Sequence, residues 1–253
     1  MIRTFRMDLH IHTCLSPCGT PENVPTRIVE AAVETHLDAI GICDHNGSEN
    51  VSAVRRAAAR IHPGIRVFGG MEITTREEAH LLAIFEGEEE LNQMQETVYA
   101  HLPGTNDPDA FGAQYIVDDE DYVIGYNDHL LMGATTMSID DTVALIHGYG
   151  GLAFASHIDR EAFGVISQLG FIPEDVRFDA LEISPHYASS PFDLSPYIGE
   201  GRAGPVAVTF SDAHQLGDIG RAYTRFLMAG ATLSELKLAL DGLRGRHVVP
   251  IGE

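Results

Sequence analysis

Asp8, His10 and His12 occupy every second position of the stretch Asp8-Leu9-His10-Ile11-His12-Thr13. Successive side chains of a β-strand point to opposite faces. The spacing therefore predicts Asp8, His10 and His12 on one face, with Leu9 and Ile11 on the other. The apolar pair reads as a buried face; the polar trio must meet water or something that binds imidazoles. Residues of the same ligand type recur along the chain: Cys18, His45, Glu72, His80, His157, Asp212 and His214. Imidazole nitrogens combined with carboxylate oxygens suit zinc, manganese or iron. With His10 and His12 they make nine candidates, too many for one ion, so two to three divalent cations sharing bridging ligands are expected. Clustered divalent ions activate water and neutralise a phosphoryl group under attack. The chain offers no G-x-S-x-G elbow and no Walker loop, which leaves water as the nucleophile.

The elements that must position these residues are short apolar strands alternating with amphipathic segments. Strands are expected over residues 6–13, 38–45, 66–74, 79–85, 151–158, 180–184 and 205–214, and helices over 25–36, 52–62, 88–102, 138–150 and 232–243. Pro25 suits the first turn of a helix, and Ser138 with Asp141 and Thr232 with Glu235 have capping-box spacing. Strand–helix alternation implies an α/β fold with mainly parallel strands, and the ligand-type residues fall at strand ends, which converge at one mouth in a parallel barrel. Residues 103–136 break the rhythm. Within them, 114–126 reads as two strands around Asp118-Asp119-Glu120-Asp121, an inserted hairpin that acts as a lid or as a surface elaboration.

Composition sets outer limits. The 253 residues are 44% hydrophobic, enough for one sizeable core, and the whole of 1–253 is read as one domain. Asp and Glu number 37 against 16 Lys and Arg, a formal net charge of −21. Such a surface repels nucleic-acid backbones and anionic membranes, so no nucleic-acid partner is expected, although bound cations leave room for a small phosphorylated substrate. No apolar run is long enough for a membrane span and no signal-peptide core precedes the first strand. Three cysteines do not make a disulfide framework and fit a reducing cytoplasm.

In their order, "DLHIHT", "CDHN", "GMEITT", "SHIDR" and "SDAH", spanning residues 8 to 214, resemble the PHP (polymerase and histidinol phosphatase) domain family. The resemblance implies a distorted (β/α)7 barrel holding up to three divalent metals, and phosphoester hydrolysis with a small monoester favoured. It assigns His10, His12 and Asp212 to one metal, Glu72 as a bridge to a second completed by His80 and His157, and His45 with His214 to a third. It also expects a His or Asp ligand in the loop after His12, where this chain has Cys18. A thiolate there ligates and favours zinc or iron, or else the residue is silent.

Arg160, three residues after His157, is the first candidate for gripping substrate phosphate, since a guanidinium forks onto two oxygens; an ion pair with Asp159 or Glu161 is the alternative. Arg76 is a second candidate. Asp8 and Asp44 either orient an imidazole or satisfy backbone donors. Cys14 and Cys43 read as packed residues. His101 and His129 flank the insertion as surface residues or substitutes for His80, and His36, His62, His147 and His247 read as structural. Glu182 either enters the mouth or meets a neighbouring backbone, and His186 lies within reach of substrate. Two rival functions remain. An amidohydrolase would call for a bridging lysine, and the one lysine, Lys237, lies in a helix remote from the motifs. A non-catalytic PHP module would have a decayed ligand set.

Overall fold

The computed structural model describes residues 1–186, 192–198 and 204–251. The chain runs β1 (Arg3–Ile11), α1 (Pro25–Glu34), β2 (Ala39–Ile42), α2 (Val51–Ile61), β3 (Arg66–Thr74) and β4 (His80–Phe85). It continues through α3 (Glu88–His101), α4 (Pro108–Phe111), β5 (Tyr115–Val117), β6 (Val123–Tyr126), α5 (Ile139–Gly148) and β7 (Leu152–Ala155). The last part holds α6 (Val165–Leu169), β8 (Ala180–Ile183), β9 (Val206–Thr209), β10 (Thr224–Met228), α7 (Leu233–Leu240) and β11 (His247–Val248).

One nine-stranded sheet has the order β11-β10-β1-β2-β3-β4-β7-β8-β9. Just beyond β9, Ala213 bridges back to Ile11 in parallel, with His12 N donating to Ala213 O at 3.0 Å. That contact nearly closes the seven strands from β1 to β9 into a barrel, in agreement with the expected (β/α)7 fold. Its strands are less parallel than expected. β1/β2, β2/β3, β7/β8 and β8/β9 pair in parallel, whereas β4 is antiparallel to both β3 and β7, and β10 and β11 extend the sheet antiparallel beyond β1. Only residues 75–79 separate β3 from β4, too few for the crossover a parallel pair needs. The reversal has a functional consequence: the first residue of β4, His80, pairs with the last of β3, Thr74. It thus stands at the rim where β1, β2 and β3 end.

The inside of the barrel is filled by Phe5, Met7, Leu9, Phe68, Leu82, Ile84, Phe154 and Phe210, and the outside carries Ile28, Val29 and Ala32 of α1 with Val54, Ala57 and Ala58 of α2. Ser138 and Thr232 cap α5 and α7 as expected, their hydroxyls accepting from Asp141 N and Glu235 N.

The pairing of β1 with β2 slips between Asp8 and Ile11, a β-bulge. Before it, Met7 and Leu9 face the barrel interior; after it, Ile11 packs outside among the helices. A bulge inverts the alternation. Asp8 is therefore not on the face of His10 and His12, contrary to the period-two reading, and Leu9 and Ile11 do not share a face. The bulge explains Gly41 of β2, where an added Cβ would lie 2.5 Å from the Leu9 carbonyl oxygen.

Residues 115–126 form the expected hairpin of β5 and β6. It is docked on the loops after β1 and β2: Tyr115 N donates to Cys14 O at 3.1 Å, and Asn50 bonds the backbone of both Tyr115 and Val117. Its acidic turn is anchored on α1 and α2, with Asp119 paired to Arg56 and Asp121 accepting from Thr26. Among the described residues, no helix is long and apolar enough to cross a membrane.

Candidate metal centre

The rim gathers the imidazoles of His10, His12, His45, His80, His157 and His214 around two carboxylates, Glu72 and Asp212. Glu72 is buried at the centre. Its Oε1 lies 3.0 Å from His80 Nδ1, 3.1 Å from His157 Nε2 and 3.5 Å from His10 Nε2; its Oε2 lies 3.1 Å from His45 Nδ1 and 3.6 Å from His12 Nε2. Asp212 Oδ1 is 3.2 Å from His10 Nε2 and 3.1 Å from His12 Nε2. Three sets of potential ligand atoms lie within 4.8 Å of one another: His10, His12, Glu72 and Asp212; His45, Glu72 and His80; and His12, His45 and His214.

Hydrogen bonds on the far side of the rings fix which nitrogens point inward. His10 Nδ1–H donates to both oxygens of Glu182, at 3.0 and 3.1 Å. Ser16 Oγ donates to Asp44 Oδ1 at 2.6 Å, so it accepts from His12 Nδ1–H at 3.1 Å. His214 Nδ1–H donates to the carbonyl oxygen of Asp212 at 2.8 Å. The Nε2 atoms of His10 and His12 then face each other at 3.2 Å. Two nitrogen lone pairs this close to each other and to two carboxylates repel unless positive charge sits among them. Ligand atoms about 2.0–2.2 Å from a tetrahedral ion lie about 3.3–3.6 Å apart, and the donor atoms here stand slightly closer, at 3.0–3.6 Å. His80 Nδ1 is buried 3.0 Å from Glu72 Oε1 without an aligned hydrogen bond to it, a further open donor position. The donor set therefore fits divalent cations.

Glu182, Asp44 and Ser16 act through the rings they hold, as carboxylates behind metal-bound histidines do. The sequence flagged Glu182 and Asp44 with alternatives open and missed Ser16. Asp44 also accepts from Thr13 N and Oγ1. Asp8 serves backbone donors instead: Ser211 N at 3.0 Å and Gly220 N at 2.9 Å. These bonds steady the approach to Asp212, which has a positive φ of 49°, and His157 shares the strained left-handed region at 26°. Non-glycine residues in that region mark segments held by their surroundings, and they cluster at functional sites.

Cys18 is exposed at the outer edge, beside His45 and His214, and stands outside the three ligand sets. Desolvation raises its pKa, but the neighbouring imidazoles of His214 and His45 outweigh that and lower it to about 7. In the protein without cations, burial lowers the pKa of His10, yet Glu182, Asp212 and Glu72 together hold it well above the ordinary value. His12 is held well below, chiefly by burial and by His214. Cys14 and Cys43 are buried, and burial pushes Cys14 up to about 12, so they pack as expected.

Arg160 Nη1 binds Asp212 Oδ2 at 2.6 Å, and about a third of its side chain is open to solvent. The alternative partners do not apply: Asp159 accepts from Ser184 N and Oγ. Arg76 pairs with Glu77 on the surface. His101 is exposed with Nδ1 on Thr97 O, His129 stacks on Tyr99, and His147 binds Asp179; none joins the centre. His186 is exposed, its N–H on Ser184 Oγ. A cavity of about 790 Å³ lies elsewhere, between β8, β9, α7 and β11, and holds none of the ligand set.

Comparison with known proteins agrees with this geometry. The PHP domain family's sequence profile matches residues 8–170. The uncharacterized protein YqxK of Bacillus subtilis is 30% identical over 109 residues, 41% of this chain and 27% of its own length. The lesion-specific endonuclease PfuEndoQ of Pyrococcus furiosus superposes with a TM-score of 0.75 at 18% identity, over 97% of this chain and 58% of that one. A candidate metal-dependent phosphoesterase of Bifidobacterium adolescentis superposes at 0.53 with 18% identity, over 83% and 88%. The chain thus spans about a quarter of YqxK and little more than half of PfuEndoQ. One expectation is corrected. Endonuclease Q has been seen with a 27-mer duplex carrying an abasic lesion at its active site, on this same fold. Net charge alone therefore does not set nucleic acid aside, because a local cationic centre decides what a site receives. With more than half its length matched and a rim of the family's ligand types, the chain belongs to the PHP domain family, whose structural relatives here include candidate metal-dependent phosphoesterases.

Proposed function

We propose that the protein hydrolyses a phosphate ester with water at a centre of two to three divalent cations, zinc, manganese or iron. The observation that carries this reading is the pair of inward Nε2 atoms of His10 and His12 facing each other and two carboxylates. His10, His12 and Asp212 would hold one cation. Glu72 would bridge to a second held with His80 and His157, and His45, His214 and Cys18 would hold the third. Bound cations supply hydroxide near neutral pH and neutralise charge on the phosphoryl group. Glu182 and the Asp44–Ser16 pair keep the protons of His10 and His12 on Nδ1. Arg160 uses one face of its guanidinium to steady Asp212 and has further N–H groups for a phosphate oxygen.

A small phosphomonoester is the favoured substrate. Among the described residues, Arg56 and Arg60 pair with Asp119, Arg66 with Glu86 and Arg76 with Glu77, while Arg160 is the cation that reaches the ligand set, through Asp212. A nucleic-acid phosphodiester is the second reading, supported by the fold shared with endonuclease Q. An amidohydrolase is disfavoured because Lys237, on α7, binds Asp179 away from the centre. The docked hairpin would serve as one wall of the mouth within a single domain, and free thiols fit the cytoplasm.

The test is a panel of phosphomonoesters, phosphodiesters and abasic duplex DNA, offered to stripped protein reloaded with zinc, manganese or iron. Monoester turnover that depends on metal is expected. No turnover of any ester with any of the three metals would end the proposal.

A further inference from the structure

Phe163 has a place in the site that metal chemistry does not require. It follows Arg160 by three residues, on the loop that leaves His157. Its φ is 59°, a region that bulky side chains rarely adopt. The loop is drawn tight around it: an added Cβ on Gly164 would meet the carbonyl oxygens of Arg160 and His157 at 3.0 and 3.2 Å. Two contacts hold the residue there. Its carbonyl oxygen accepts from His80 N at 2.8 Å, and its ring lies parallel to the His80 imidazole, centroids 4.5 Å apart at 14°. One ring face is thus spent on a buried histidine of the centre. Even so, 41% of the residue is exposed, an unusual state for a phenylalanine held in strain. Shielding His80 alone would be served by any aliphatic side chain.

We infer that Phe163 is a stacking platform for the alcohol portion of the substrate, so that this site selects phosphate esters carrying an aromatic or heteroaromatic ring, nucleotides included. The inference rests on the proposed ester hydrolysis and specifies its substrate class. Arg160 and Phe163 divide the work from one loop: the guanidinium takes the phosphoryl oxygens, and the open ring face takes a planar group beyond the ester oxygen. Aromatic pairs favour offset parallel contact, worth about a tenfold change in affinity at the upper end.

The test compares a nucleoside 5′-monophosphate and phenyl phosphate with glycerol 2-phosphate on the metal-loaded protein, in wild type, Phe163→Ala and Phe163→Tyr. Metal content is measured in each. Phe163→Ala should raise KM for the two ring-bearing esters about tenfold more than for glycerol 2-phosphate and keep its metal; Phe163→Tyr should restore the preference. An equal effect on all three esters, no effect on any, or loss of metal in Phe163→Ala would overturn the platform. Calorimetric binding of the same three compounds separates the two proposals. Absence of turnover would defeat the hydrolysis alone. Ring-bearing esters binding about tenfold tighter, with the margin lost in Phe163→Ala, would still support the platform, and equal binding would refute it.

Discussion

His10 Nε2 and His12 Nε2 stand 3.2 Å apart while both Nδ1 atoms are held from behind, His10 by Glu182 and His12 by Ser16. A lone-pair contact of this kind is stable only around positive charge. In the stripped protein that charge is supplied by protons. Burial lowers His10, but Glu182, Asp212 and Glu72 outweigh it and raise it well above 6.5. In the same way Cys18 and Glu72 raise His45 to about 10 against its burial.

Cations must displace those protons, which fixes the sign of the pH dependence. A histidine raised in the fold stabilises the stripped protein fully below about pH 6.5, and that contribution is lost as pH rises through its folded value. Metal affinity runs the other way and falls with acid. Zinc or manganese at about a thousandfold its Kd should raise Tm by about 8–16 °C near pH 8, with a clearly smaller gain near pH 5.5. Differential scanning of stripped and loaded protein checks this; a gain independent of pH would remove the proton competition.

Glu72→Gln should keep the fold yet lower turnover by at least about 10²–10³-fold, since it removes the anion shared by five imidazoles. Thermal melting in the presence of chelator, set beside the phosphatase assay, separates the two effects. Activity near wild type would contradict the bridging role.

Glu182→Gln replaces no proposed ligand but weakens the hold on the His10 ring, because an amide oxygen accepts less strongly than a carboxylate. Its metal affinity should fall about 10–100-fold, measured by competition with a chelator of known affinity. The same substitution at exposed Glu120 serves as control and should change nothing.

Cys18 is the thiol that should react. In stripped protein its alkylation by iodoacetamide should rise through about pH 7, as thiolate forms. Saturating zinc should protect it, and Cys18→Ser should bind one equivalent less. Cobalt loading gives an independent readout, a thiolate-to-cobalt absorption band absent from the variant. Alkylation of Cys14 or Cys43 instead, both buried with raised pKa, would contradict the assignment.

The ligand types, their order and most of the elements that carry them were legible in the sequence. Residue chemistry is local, and strand ends announce themselves by apolar runs stopping at His, Asp or Glu. The caps of α5 and α7 and the hairpin of β5 and β6 were readable for the same reason. What lay beyond the sequence was set by contacts between distant segments. The bulge in β1 depends on how Leu9 meets Gly41 of β2, and it sends Asp8 away from the face of His10. The reversed β4 brings His80 to the rim because the turn from β3 is too short to cross over. Glu182, 172 residues from His10, and Phe163 against His80 became meaningful only when the barrel closed. A sequence specifies which atoms can bind; the distances and faces that make them bind together come from pairing and packing across the whole chain.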